Sequence, residues 1–120
     1  FAKIEGALAS LDAEYETVLV EGAGGLMVPL TRELLTIDYV AEKGWPVWFV
    51  TSGKLGSVNH TLLSLEAMKR RDMPLAGLIF NDFCPSHDEV IARDTKEYLR
   101  TALARFYPEA PFLVCPTIDL

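Results

Sequence analysis

The sequence has no excess of basic residues. It carries 11 Lys and Arg against 17 Asp and Glu, a net charge of −6 over 120 residues. Nucleic acid needs a basic face that neutralises a row of phosphates, so that partner class is excluded. A nucleotide stays open, because Mg²⁺ and backbone N–H groups can supply the positive charge. Apolar runs are short, none near the ~18 residues of a membrane span, so a membrane partner is excluded too. Cysteine is scarce. Cys84 and Cys115 lack the spacing of a metal knuckle. A single disulfide stays open, but nothing else looks secreted, and buried free thiols in a reducing cytosol are expected. No signal peptide is visible, and no methionine precedes Phe1. The chain opens directly into a helical pattern, so we expect a piece of a longer cytoplasmic protein.

What is present fits an ordinary globular domain. Hydrophobic residues make up 50% and charged residues 23% of the chain, which argues against disorder. One domain spanning 1–120 is expected. Ile4, Ala7, Leu8 and Leu11 form one apolar helical face. The run TVLV at 17–20 then suits a strand covered on both faces. A short helix follows over 36–43, with Thr36 as N-cap and Gly44 as stop. A second buried strand is predicted over 46–51. The helix after it, 58–71, turns Val58, Leu62, Leu65 and Met68 to one side. A third strand covers 75–80, ended by Asn81. Ser86-His87-Asp88-Glu89 fits a capping box, with Ser86 as the cap and Glu89 reaching back. The helix it starts turns Ile91, Thr95, Tyr98, Leu99, Ala102 and Phe106 inward. A fourth strand covers 112–115.

The alternation of helix and strand predicts an α/β fold, a mainly parallel sheet with right-handed crossovers and flanking helices. Parallel strands end on one edge, and open α/β sheets bind ligands there. Glu21, Thr51 and Ser52, Asn81, and Pro116 each follow a predicted strand.

Three constellations lie at those strand ends. In Glu21-Gly22-Ala23-Gly24-Gly25 the acid can hold Mg²⁺, and the glycines let a phosphate approach the backbone. A plain turn with a solvated glutamate explains the same residues equally well, and the Lys and Ser/Thr of a P-loop are absent. In Thr51-Ser52-Gly53-Lys54-Leu55-Gly56-Ser57-Val58-Asn59-His60, two glycines precede a helix whose free N–H groups suit a carboxylate or phosphate. Ser57 as a simple N-cap is the commoner explanation. His60 stands without a metal-binding neighbour and reads as a packed or surface residue. Asn81-Asp82 offers an amide that can bond both N6–H and N7 of adenine. Asparagine is also a common turn residue, and that explanation is the commoner one.

Taken together, VLVEGAGGLMVPL, WPVWFVTSGKLGSVNHTLLSLEAM and PLAGLIFND make the chain resemble dethiobiotin synthetase. Cobyrinic acid a,c-diamide synthases share an EGAGG-like turn but not usually the LGSVNH segment. The resemblance implies a P-loop-NTPase-like domain in a homodimer. The implied reaction forms a carbamate from CO₂ and 7,8-diaminopelargonate, phosphorylates it with MgATP and closes the ureido ring of dethiobiotin. Glu21 would be a Mg²⁺ ligand. Glu21, Gly22, Ala23 and Gly24 would contact ATP, and the Gly24 N–H would face the reacting carbamate. Ser57, Val58 and Asn59 would hold the substrate carboxylate across the dimer. Asn81, Asp82, Pro116, Thr117 and Ile118 would contact the adenine end.

The departure from the family pattern is large. The P-loop, a catalytic lysine and a second metal-binding acid precede this region in the family, and none lies in these 120 residues. The match is to the C-terminal portion. No catalytic side chain is therefore expected in the chain, and the chain alone is expected to be inactive. Two alternatives stay open: a non-catalytic dimerisation or ligand-binding paralogue, and a piece of a cobyrinic acid a,c-diamide synthase-like enzyme.

Overall fold

The computed structural model describes residues 1–83 and 88–118. The chain forms two compact units, Phe1–Glu42 and Lys43–Leu120.

In the first unit, helix α1 (Ala2–Glu14) buries none of its residues. Its apolar face leaves Ile4 37% and Leu11 40% exposed. The strand expected over 17–20 does not form, and Leu19 is 88% exposed. A strand exists only through a ladder with a neighbour, and no described strand pairs with this segment. Helix α2 (Thr36–Lys43) carries the buried residues Ile37 and Tyr39. Thr36 does not cap it. Thr36 is instead its first residue, and its hydroxyl donates to the Val28 carbonyl at 2.8 Å. Gly44 takes φ +65°, the left-handed stop expected of it. The Tyr39 hydroxyl donates to Glu5 Oε1 at 2.6 Å, and the Phe1 ring meets the Tyr39 ring edge-on at 5.3 Å. These contacts tie α1 to α2.

The second unit is built on strands β1 (Val47–Ser52), β2 (Leu75–Asn81) and β3 (Phe112–Cys115). They form a parallel sheet in the order β1-β2-β3. Helix α3 (Ser57–Lys69) connects the first two, and helix α4 (Glu89–Phe106) connects the last two. Both crossovers step the same way along the sheet. With the same hand, they place both helices on one face. The core confirms this: Leu65 of α3 and Leu103 of α4 close on Leu78, with Phe49 and Phe112 packed alongside. Phe49, Leu78 and Phe112 are register partners, so they share that face.

β1, expected to be a buried strand, is open on one side, and so is β3. Trp48, Val50 and Leu113 point the other way and are 48%, 60% and 45% exposed. Alternation along each strand sends every second side chain to that face. The same geometry corrects the inward set of α4. Leu99, Ala102 and Leu103 are buried, whereas Ile91 is 58% and Tyr98 45% exposed. Cys115 is likewise an exposed free thiol, not a buried one, because β3 is an edge strand. Cys84 lies outside the described residues. The cap of α4 is Asp88, whose Oδ1 accepts from the N–H groups of Val90 and Ile91 at 3.1 Å each. Ser86 and His87 of the expected capping box lie outside the described residues.

Candidate functional site

The register of the sheet sets its carboxyl edge. Ser52 pairs with Asn81, and Asn81 with Cys115, so the three strands end abreast. The Asp82 N–H donates to the Cys115 carbonyl at 2.9 Å and extends the β2–β3 ladder one step past the strand. At this edge lies a cavity of about 320 Å³, lined among others by Thr51, Ser52, Ser57, His60, Asn81 and Phe83. Ser57 and Asn81, from two separate sequence constellations, are thus brought to one cavity. Val58 and Asn59 do not line it. Pro116, Thr117 and Ile118 follow β3 at the same edge as exposed chain, with Ile118 71% exposed.

The start of α3 departs from a simple Ser57 cap. The N-cap is Gly56, at φ +90°, and no side chain caps the helix. The Ser57 hydroxyl is drawn to Ser52 Oγ at 3.2 Å. One turn on, Thr61 meets Thr51 hydroxyl to hydroxyl at 2.7 Å, buried. Residues four apart on a helix share a face, so Ser57 and Thr61 stitch α3 to the end of β1. This pairing leaves the first-turn N–H groups of Val58 and Asn59 without a partner among the described residues, an anion-accepting arrangement by its dipole and its free donors. His60, expected to be packed or at the surface, is exposed.

Asn81 serves the turn that ends β2. Its Oδ1 accepts the Phe83 N–H at 3.1 Å. That bond occupies one acceptor lone pair and leaves the other, with both amide hydrogens, for a ligand. Asp82 is gripped by Lys96 of α4, Nζ to Oδ1 3.2 Å. The Lys96 ammonium also stands 5.6 Å over the ring centre of Phe80. Lys96 escaped the sequence reading, since a lysine on an amphipathic helix looks like any solvated charge. The hydroxyl pair left a fainter signal: Thr61 is a polar residue on the face that also carries Leu65 and Met68.

In the first unit, the Glu21–Gly25 stretch is an open turn. Gly24 and Gly25 take φ +88° and +114°, where side chains are strained. A Cβ on Gly24 would stand 3.0 Å from Val28 Cγ2, and one on Gly22 3.3 Å from Thr36 Cγ2. The turn therefore rests on the clasp in which the Thr36 N–H and hydroxyl both donate to Val28. Among the described residues, no group bonds the N–H groups of Gly22, Ala23 or Gly24. Glu21 is exposed and makes no ion pair or hydrogen bond with any described residue. No cluster of three metal-binding side chains occurs among the described residues. A single free carboxylate beside open N–H groups fits Mg²⁺, which keeps several waters and takes phosphate oxygens as its other ligands.

A parallel three-stranded sheet flanked by helices is consistent with part of a P-loop-NTPase-like α/β fold. A family model described as an AAA domain matches residues 2–107, and the chain belongs to that family. The expected resemblance is borne out by curated relatives. The ATP-dependent dethiobiotin synthetase BioD 2 of Pasteurella multocida (strain Pm70) is 43% identical over 118 residues, 98% of this chain and 55% of that protein. The ATP-dependent dethiobiotin synthetase BioD of Chlorobaculum tepidum is 45% identical over 121 residues, 100% of this chain and 50% of that protein. The BioD 2 protein of Haemophilus ducreyi is 43% identical over 113 residues, 94% of this chain and 53% of that protein. The chain spans about half the length of these relatives.

Proposed function

We propose that the chain is part of a cytoplasmic, homodimeric, Mg²⁺- and ATP-dependent ligase that closes the ureido ring of dethiobiotin from 7,8-diaminopelargonate and CO₂. The observation that carries this is the 43–45% identity to dethiobiotin synthetases over 98–100% of the chain. The cavity at the sheet's carboxyl edge supports it, because α/β sheets bind ligands at that edge.

The proposed roles follow from the chemistry each group offers. Phosphoryl transfer asks for placed cations and N–H donors more than for a nucleophilic side chain. Glu21 would hold Mg²⁺, which when bound neutralises phosphate charge. The N–H groups of Gly22, Ala23 and Gly24 would face phosphate oxygens, with Gly24 nearest the carbamate. The α3 start at Ser57, Val58 and Asn59 would take the substrate carboxylate, across the dimer. Asn81 would read adenine, with Asp82 beside it and Pro116, Thr117 and Ile118 completing that end. The family's P-loop, catalytic lysine and second metal-binding acid are not among these 120 residues, so the chain by itself is proposed to be inactive.

The test is turnover. The full-length protein that contains this chain should form dethiobiotin from 7,8-diaminopelargonate, bicarbonate and MgATP, while the isolated chain should not. A folded full-length protein that binds ATP yet forms no product would favour the non-catalytic alternative. Turnover by the isolated chain would overturn the proposed inactivity.

A further inference from the structure

One charged pair at the strand-end edge has no place in the roles above. Lys96 lies on α4, and only 22% of its side chain is exposed. Its Nζ sits 3.2 Å from Asp82 Oδ1 and 5.6 Å over the Phe80 ring. Phe80 is 1% exposed and belongs to the core, so the ammonium stands over a fixed ring. Asp82 directly follows Asn81. Its carboxylate is tied to Lys96, and its N–H to the Cys115 carbonyl. Asn81 itself is tied to Phe83. The short segment from 81 to 83 is therefore held from three sides: by β3, by its own turn and by α4.

Among the described residues, only the Lys96 tie reaches this segment from a helix. An amide that reads a base must present its oxygen and nitrogen in one orientation, and a turn free to rock would blur that choice. We propose that Lys96 is a positioning residue for base recognition. Through Asp82 it locks the turn on which Asn81 is displayed, so that the asparagine amide meets a purine with an N6 amino group in one fixed pose. This inference rests on the proposed adenine-reading role of Asn81. Lys96 touches neither the nucleotide nor the reacting atoms. The Lys96 side chain is 22% exposed and that of Asp82 37%, and the pair joins helix α4 to the turn after β2, so its charge acts between two separate parts of the fold.

The test uses the full-length protein and two nucleotides, ATP and GTP, with binding measured by calorimetry and turnover by product formation. Lys96→Met keeps an unbranched apolar side chain and removes the charge. It should weaken ATP binding roughly three- to tenfold while changing GTP binding little, narrowing the preference for ATP. Most of the kinetic effect should fall on KM for ATP and little on kcat. Lys96→Arg, which keeps the charge, should restore the preference. Asn81→Ala is the reference and should remove the preference altogether. If Asn81→Ala removes it and Lys96→Met leaves it intact, the positioning role falls and the adenine reading stands. If Asn81→Ala leaves the preference intact, both fall. An unchanged far-UV spectrum and melting profile for Lys96→Met separates lost positioning from lost fold.

Discussion

The indole of Trp48 lies across Gly77, so close that a Cβ at position 77 would stand 2.5 Å from Trp48 Cζ3. The two are register partners on neighbouring strands, and Pro111 Cγ would stand 3.1 Å from the same Cβ. The half-exposed tryptophan thus uses the absence of a side chain at 77 as its seat. Gly77→Ala should destabilise the protein by about 1–3 kcal/mol through overpacking. Urea unfolding should show a lower midpoint, and the same change made in a Trp48→Val background should cost less. An equal cost in both backgrounds would show that the ring is not the obstacle.

Thr51 and Thr61 share one buried hydroxyl contact, at 2.7 Å. Thr61 is 1% and Thr51 8% exposed, so neither has ready access to water. Thr61→Val should leave the Thr51 hydroxyl without a partner and cost about 1–3 kcal/mol. The double change Thr51→Val with Thr61→Val removes both polar groups and should recover much of that loss. A double-mutant cycle on unfolding free energy measures the coupling.

Tyr39 is predicted to shape the alkaline limit of stability. Burial first, then the hydrogen bond to Glu5 and the charges of Glu5 and Glu42, push its phenol from the ordinary 10 up to about 12. The folded value lies above the unfolded one. The contribution is therefore complete below pH 10 and is lost as pH rises through about 12. Unfolding measured against pH should decline over that window. Tyr39→Phe should flatten this decline and cost about 1 kcal/mol at neutral pH through the lost hydrogen bond. A Tyr39→Phe protein that loses stability just as steeply between those pH values would show that another group controls it.

Glu21 offers the direct test of the metal proposal. In the full-length protein, Glu21→Gln removes the charge and keeps the shape. It should lower kcat roughly a hundredfold and raise the Mg²⁺ concentration needed for half-maximal rate. An unchanged Mg²⁺ requirement would remove Glu21 from the metal's shell.

Much of the fold was legible because its signals are local. The predicted helix over 36–43 coincides with α2, and the run FLVC with β3. The strand expected over 75–80 coincides with β2 but for Asn81, which the strand also takes in. The failures share one cause. TVLV at 17–20 has the composition of a strand, but a strand is a relation between two segments, and no described strand accepts its ladder. Thr36 and Ser57 look like caps, yet each hydroxyl is drawn to the segment before its helix, Val28 in one case and Ser52 in the other. The second faces of β1 and β3 could not be read as open, since residues such as Val50 and Leu113 look alike whether covered or bare.

For the candidate site the division is similar. Glycine at 24 and 25, asparagine after β2 and the LGSVNH segment are visible in one dimension, because the backbone chemistry they permit depends on residue type. Sequence alone therefore settled the kinds of group on offer and the likeness to dethiobiotin synthetases. Register decided which of them meet. Ser52, Asn81 and Cys115 come abreast because three parallel strands hydrogen-bond in step. Lys96 reaches Asp82 because α4 packs back over the sheet. Such proximities arise from long-range pairing and burial, which depend on where segments meet in space and not on their order along the chain.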